Sequence, residues 1–305
     1  MVFETSLIPR NRNREAQMND QDTLLSVEDL WVRFPSRRGV VEAVRGISFS
    51  VGRERIGIVG ESGSGKSMTG RSILRLIRPP GDMSAKEIRF KGDNLLDYSE
   101  KQMRSIRGHR ISMVMQDPKF SLNPVMTVGA QIEEAYRLHS KASKKEAYRK
   151  TIEMLEAVQI RDAERVYKAY PHEVSGGMGQ RIMIAMMLIP DPDLLIADEP
   201  TSALDVTVQM HVLAILDKLV QERGMGLIFI SHDLNLVSSF CDRVLIMYGG
   251  RIVETCKADE LHNAQHPYTR GLLAALPQVD KPVETLAVLE RDEAWRAQES
   301  VSAYE

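Results

Sequence analysis

The residues of this chain best suited to chemistry are Gly60, Glu61, Ser62, Gly63, Ser64, Gly65, Lys66 and Ser67. They stand between Arg55–Val59, an apolar run that reads as a buried strand, and residues 68–77, which read as a helix. A glycine-rich turn between strand and helix turns backbone N–H groups inward and sets a helix N-terminus behind them. That combination makes an anion site. The spacing of Gly60, Gly65, Lys66 and Ser67 fits the complete phosphate-binding loop. Chance yields it in roughly one chain in a hundred of this length. Lys66 would reach the β- and γ-phosphates of a nucleotide, and the Ser67 hydroxyl would ligate Mg²⁺. Met68, at the head of the helix, completes the nucleotide-binding set.

A second constellation follows from a second strand. Leu194-Leu195-Ile196-Ala197 is an apolar run that ends in Asp198-Glu199-Pro200. Ligands of open α/β sheets sit beyond the carboxyl ends of the strands. Asp198 would therefore face the phosphate loop's crevice and hold Mg²⁺ through its water shell, and Glu199 would polarise an attacking water. Acids in such a place can also simply begin a turn; the phosphate loop tips the balance towards chemistry. His232 follows the apolar run ending at Ile230 and Ser231, which favours a γ-phosphate contact. Gln116 follows residues 111–115 in the same way, and its amide could ligate Mg²⁺ or the water. Ser175, Gly176 and Gly177 open a further predicted helix, residues 178–188, and form a second anion-binding helix start. An ordinary helix cap is the plain alternative. A chain with one phosphate loop and two such starts suggests that the second serves a nucleotide held by another subunit.

These residues need a scaffold, and 305 residues suffice for one large α/β domain with attachments. Net charge is -2 and 43% of residues are hydrophobic, which describes a soluble globular protein with no basic excess pointing to nucleic acid. No run approaches a membrane span. Cys241 and Cys256 are too few for a disulfide framework, lack metal-ligand spacing and read as small buried thiols in a reducing compartment. Residues 1–22 are polar and basic and read as a disordered leader, with Met18 as an alternative start.

Strands are expected over 24–34, 40–51, 87–90, 111–115, 193–197, 226–230 and 244–247. Helices are expected over 207–223, 234–240 and 268–276. Alternation of strands and helices implies a largely parallel sheet covered on both faces. Residues 127–160 carry helical stripes instead, Val128, Ile132, Ala135 and Leu138, then Ile152, Leu155 and Val158, and look like an inserted subdomain. The basic patch between them, from Lys141 to Lys150, could meet a membrane or nucleic acid, but a solvated helix face outweighs both. Residues 277–305 are charged and weakly patterned and read as a flexible tail.

Taken together the motifs resemble the ATP-binding subunits of ATP-binding-cassette (ABC) transporters, from about Leu24 to Leu276. Val174 to Arg181 looks like the family signature, Ser202 to Asp205 like the D-loop, and His232 like the switch histidine. Phe34 falls where the family stacks an aromatic on adenine; a strand-end core aromatic is the alternative. The resemblance implies a P-loop NTPase fold of α/β class. Its domain, residues 23–276, would have a mixed-sheet core, an antiparallel β subdomain and an inserted α-helical signature subdomain at about 117–190.

A narrower resemblance is to the oligopeptide, dipeptide and nickel import subgroup. It rests on Ser121-Leu122-Asn123-Pro124, Tyr170-Pro171-His172-Glu173 and the run His266-Pro267-Tyr268-Thr269-Arg270-Gly271-Leu272-Leu273. The residues themselves suggest no catalytic logic for these marks. The resemblance implies an ATPase using ATP and Mg²⁺, with Glu199, His232, Gln116 and Lys66 catalytic. Ser175 to Gly177 would bind the γ-phosphate of a second ATP-binding subunit, a paralogue or another copy. Two transmembrane permease subunits and, indirectly, an extracytoplasmic substrate-binding protein are the other implied partners, at the cytoplasmic face of the inner membrane.

Peptide is the favoured cargo, ahead of nickel chelates, opines, glutathione and sugars. The rival is a soluble ABC ATPase of DNA repair or translation. Against it, no long heptad arms separate Ser67 from Ser175, and the chain carries one cassette. Two departures from the family stand out. Gly179 replaces a longer side chain in the signature, and no cysteine follows Cys256, so no iron–sulfur cluster is expected.

Overall fold

The computed structural model describes residues 23–37, 39–115, 121–202, 204–276, 292–296 and 298–303. In chain order the strands are β1 (Leu25–Ser36), β2 (Gly39–Val51), β3 (Arg55–Val59), β4 (Asp82–Ser84), β5 (Glu87–Phe90), β6 (Asp93–Asn94), β7 (Ile111–Val114), β8 (Leu194–Asp198), β9 (Gly226–Ser231), β10 (Arg243–Tyr248) and β11 (Arg251–Lys257). The helices are α1 (Lys66–Ile73), α2 (Glu100–Ile106), α3 (Val128–Leu138), α4 (Lys144–Ala157), α5 (Ala163–Lys168), α6 (Gly176–Leu188), α7 (Val206–Arg223), α8 (Leu234–Phe240) and α9 (Pro267–Ala274).

They form two sheets. The first is antiparallel, in the order β2-β1-β5-β6 with β4 also on β1. The second runs β11-β10-β3-β9-β8-β7. Its five strands from β10 to β7 pair in parallel, and β11 closes the edge antiparallel. All five parallel strands thus end at one edge. The strands read as near-continuous apolar runs because both faces are covered. Their period of two divides them between two cores. Leu194, Ile196, Ile228, Ile230, Leu245 and Met247 pack with the antiparallel sheet and α1. Leu195, Ala197, Leu227, Phe229, Val244 and Ile246 pack with α6, α7 and α8.

Contact is close enough to dictate sequence. A Cβ at Gly57 in β3 would lie 2.2 Å from Val237 Cγ1 on α8, so only glycine lets that helix sit on the strand. Helices α3 to α6 occupy 128–188 and share the second core through Val128, Ile132, Leu155, Val166 and Ile184. The basic patch lies largely on α4, where Arg149 and Lys150 pair with Glu153 on a solvated face.

Three sequence expectations need correction. Helix α1 runs from Lys66 to Ile73, not over 68–77: Leu74 ends it and Arg75 takes φ +52°, while Ile77 still packs beneath the antiparallel sheet. Cys241 is buried as expected, but Cys256 is only partly so. Burial, followed by the nearby Glu254, Glu260 and Asp259 carboxylates, pushes its thiol up to about 11. The tail is not flexible throughout, since its far part is docked on the core. Trp295 is 9% exposed and stacks edge-on against Tyr248, and Ala303 is fully buried. Ala303 bridges to Phe49 of β2, and Arg243 Nη1 donates to its carbonyl at 3.0 Å. Those partners lie far away in sequence, which is why local patterning reads the segment as loose. The leader, residues 1–22, lies outside the described residues.

Candidate active site at the strand ends

The phosphate loop leaves β3 and enters α1 with every constraint a tight turn imposes. Gly60, Gly63 and Gly65 have φ of +156°, +81° and +104°. A Cβ at Gly60 would meet Met247 O at 2.1 Å, and one at Gly65 would meet Ala43 O at 2.4 Å. Nothing lies within 4 Å of the Gly63 position, so the loop is clamped beneath and open above. Ser64 N donates to Glu61 O at 3.2 Å, and Gly250 N donates to Ser64 O at 3.1 Å, tying the loop to the β10–β11 turn.

The helix behind the loop is unusual in one respect. Side chains cap the N-termini of α2 to α9: Ser99, Thr127, Ser143, Asp162, Ser175, Asp205, Asp233 and His266. Among the described α-helices only α1 has none, with Gly65 at its cap position. Its first N–H groups and the positive end of its dipole are left for an external anion.

Lys66 is buried at 5% exposure and spans the loop. Its Nζ donates to Gly60 O at 2.7 Å and to Glu61 O at 2.9 Å. Burial lowers its pKa, opposed by the carboxylates of Glu199, Asp198 and Glu61. The Ser67 hydroxyl donates to Asp198 Oδ1 at 2.8 Å across the width of β9. Asp198 is 3% exposed. Burial raises its pKa, with the Ser67 hydrogen bond, Arg71 and Lys66 opposing and Glu199 adding to the rise. A hydroxyl and a carboxylate in contact form the hard oxygen set that suits Mg²⁺. Ser64 Oγ is buried with no hydrogen-bond partner.

Glu199 begins the turn after β8 at φ +46°, held by its N–H to Ile230 O at 2.9 Å. A non-glycine residue in that region costs on the order of 1 kcal/mol, a strain typical of functional sites. The turn aims its carboxylate at the residue after β9: His232 Nδ1 lies 3.3 Å from Glu199 Oε1. Lys66, Ser67, Asp198, Glu199 and His232 thus gather at one sheet edge from the ends of β3, β8 and β9. Strand β7 ends at that edge too, but Gln116 lies outside the described residues.

Other candidates lie elsewhere. Ser175 and Gly176 are exposed, and the Ser175 hydroxyl accepts from Met178 N at 3.4 Å to cap α6. A Cβ at Gly177 would sit 2.7 Å from Val208 Cγ1 of α7, whereas Gly176 has open space around it. Phe34 lies near the end of β1, partly buried against Gly81, whose Cβ would come within 2.4 Å of the ring. Sequence reasoning missed Tyr268, whose hydroxyl accepts from Glu61 N at 3.0 Å. Its one signal was the His-Pro-Tyr run.

An uncapped helix behind a glycine loop, a buried lysine across it and a Ser–Asp pair at its mouth define a P-loop nucleotide-binding protein. Residues 44–202 match the family described as ABC transporter. The chain is 50% identical over 259 residues to the probable peptide ABC transporter ATP-binding protein y4tR of Sinorhizobium fredii, across 84% of this chain and 77% of that one. It is 44% identical over 290 residues to the oligopeptide transport ATP-binding protein OppD of Escherichia coli, across 94% and 84%. Among solved structures it superposes on the dimeric cassette MJ0796 in a post-hydrolysis state bound to ADP and Pi. That match has a TM-score of 0.69 at 25% identity, covering 77% of this chain and 98% of that one. The cbiO1 subunit of Clostridium perfringens matches with a TM-score of 0.66 at 27% identity, covering 79% and 91%. The chain belongs to the ABC transporter family, as one of its ATP-hydrolysing cassettes.

Proposed function

We propose that this chain is the ATPase subunit that energises peptide import through an ABC transporter at the cytoplasmic face of the inner membrane. The observation that carries the reading is the gathering of Lys66, Ser67, Asp198, Glu199 and His232 at one sheet edge, in front of the only described α-helix without a side-chain N-cap. Relatives named for peptide and oligopeptide transport support the cargo. No helix among the described residues is long and apolar enough to cross a membrane, and in this reading the translocation path is assigned to partner subunits. Two transmembrane permeases and a second ATP-binding subunit are those partners.

ATP is the substrate, and phosphoryl transfer needs positioning and charge stabilisation more than covalent chemistry. The loop N–H groups and the start of α1 hold the phosphates, and Lys66, anchored on Gly60 O, has donors left to reach the β- and γ-oxygens. Ser67 and Asp198 would hold Mg²⁺, which neutralises charge developing on the phosphates when bound. Glu199 accepts a proton from water as that water attacks the γ-phosphorus, and the bond from phosphorus to the β–γ bridging oxygen breaks. His232 fixes the Glu199 carboxylate and meets the γ-phosphate, Gln116 orients the water, and Phe34 stacks on adenine. Ser175 to Gly177 close on the nucleotide of the second subunit.

Glu199→Gln keeps the shape of the site and removes the base. Its ATP affinity should stay within about twofold while turnover falls about 1,000-fold, within the range general-base catalysis supplies. Equilibrium binding and phosphate release by the reconstituted transporter measure both; turnover close to wild type would remove Glu199 from the mechanism.

A further inference from the structure

The His-Pro-Tyr run at the start of α9 has no role in the chemistry above, yet it reaches the phosphate loop directly. Tyr268 is the largest fully buried side chain among those described, and its hydroxyl accepts the Glu61 N–H at 3.0 Å. That N–H belongs to the peptide unit joining Gly60 to Glu61. The carbonyl of the same unit is Gly60 O, which accepts from Lys66 Nζ at 2.7 Å. In a trans peptide the two groups point in opposite directions. The unit is therefore gripped at both ends, by a phenol on one side and by the phosphate-binding lysine on the other. Gly60 stands at φ +156°, where a glycine lets the peptide swing if either grip is released.

The tyrosine is itself held. His266 caps α9, its Nδ1 accepting from Tyr268 N at 3.1 Å, and Pro267 follows in the first helical turn. The Tyr268 ring lies 4.5 Å from that of Tyr248 and 6.1 Å from that of Trp295, and Trp295 also meets His266 at 6.0 Å. Trp295 belongs to the docked C-terminal segment, described at 292–296 and 298–303. That segment is pinned by Val301 N to Ile252 O at 2.8 Å and by Ala303 N to Ser48 O at 3.0 Å. Gln298 Oε1 stands 2.9 Å from His266 Nε2.

We infer that Tyr268 is a positioning residue for nucleotide binding: it fixes the Gly60–Glu61 peptide so that Gly60 O presents Lys66 to the phosphates. The docked C-terminal segment sets the ring that does so. This rests on the phosphate loop being the nucleotide site. Without the phenol oxygen the Glu61 N–H loses this hydrogen bond. An unmade bond there favours rotation of the peptide, and the Lys66 anchor goes with it.

Tyr268→Phe in the full chain keeps the ring and removes only the acceptor. MgATP affinity, read by equilibrium titration, should fall about threefold to tenfold, the range for one lost hydrogen bond. In the assembled transporter KM for ATP should rise by the same factor with kcat little changed. Amide exchange of the segment spanning Glu61 should quicken selectively, while the unfolding midpoint without nucleotide moves by no more than about 3 °C. Trp295→Ala should shift affinity and exchange in the same direction by a smaller factor. Wild-type affinity in Tyr268→Phe, whether or not its stability falls, overturns the inference and leaves Tyr268 a packing residue. Failure of the wild-type chain itself to bind MgATP would overturn the nucleotide reading, and this inference with it.

Discussion

Helices α1 and α6 both start from glycine-bearing turns, yet the two starts are built in opposite ways. The turn before α1 is locked from below on several sides: Met247 O beneath Gly60, Ala43 O beneath Gly65, Gly250 N on Ser64 O and Tyr268 on Glu61 N. Its helix has no side-chain cap, and a buried lysine lies across it. The turn before α6 caps itself through Ser175 and exposes Ser175 and Gly176. Gly177 is packed on Val208, which fixes the helix but not a ligand. One start is a whole anion site within a single chain. Under the proposed function the other is half a site, complete only when a second subunit brings the phosphates to it.

Lys66→Ala is the most severe test of that contrast. It removes the charge from the complete site and leaves Gly60 O and Glu61 O without their ammonium. MgATP affinity of the isolated chain should fall by about 100-fold or more, the scale for truncating a buried, hydrogen-bonded charge. Isothermal titration measures it. If affinity survived, the α1 turn would no longer be the principal anion site and the contrast with α6 would collapse.

Gly176→Asp sharpens the contrast from the other side. Gly176 has open space around it, and an acid in the first turn suits the helix dipole, so folding should be spared. The isolated chain should bind MgATP as wild type does. In the assembled transporter a carboxylate would oppose phosphates arriving from the second subunit, and turnover should drop about 10- to 100-fold. Weakened binding in the isolated chain would mean that the α6 turn belongs to the chain's own site.

The same contrast explains what the sequence made legible. The α1 turn could be read because each of its constraints is local: glycines where φ is positive, a lysine and a serine at fixed offsets, an apolar strand before them. Strands β8, β9 and β10 were equally plain, since burial on both faces leaves unbroken apolar runs. Helix α2 was missed because it is short and buries only Met103 and Ile106, too few for a periodic signal. Its capping box between Ser99 and Gln102 was the cue available. The contacts of Tyr268 and the docking of Trp295 and Ala303 could not be read from local pattern. Their partners, Glu61, Tyr248 and Phe49, lie in other parts of the chain, and single apolar residues in a charged stretch carry no period.

Ser175→Ala gives the smallest effect and the finest distinction. As a cap alone, Ser175 contributes one long hydrogen bond, 3.4 Å to Met178 N, so its loss should cost about 0.5–1 kcal/mol. In a cassette of this size that lowers the unfolding midpoint by roughly 1–4 °C. At α1 no such loss is possible, because Gly65 offers no cap to remove. If capping were the whole role of Ser175, the alanine variant would hydrolyse ATP normally in the assembled transporter once temperature is kept well below its midpoint. If the hydroxyl also completes the second subunit's site, turnover falls several-fold at any temperature. Ser175→Thr, which restores both a cap and a hydroxyl, then recovers stability and turnover together. The two readouts separate a helix start that serves its own fold from one that serves a neighbour's nucleotide.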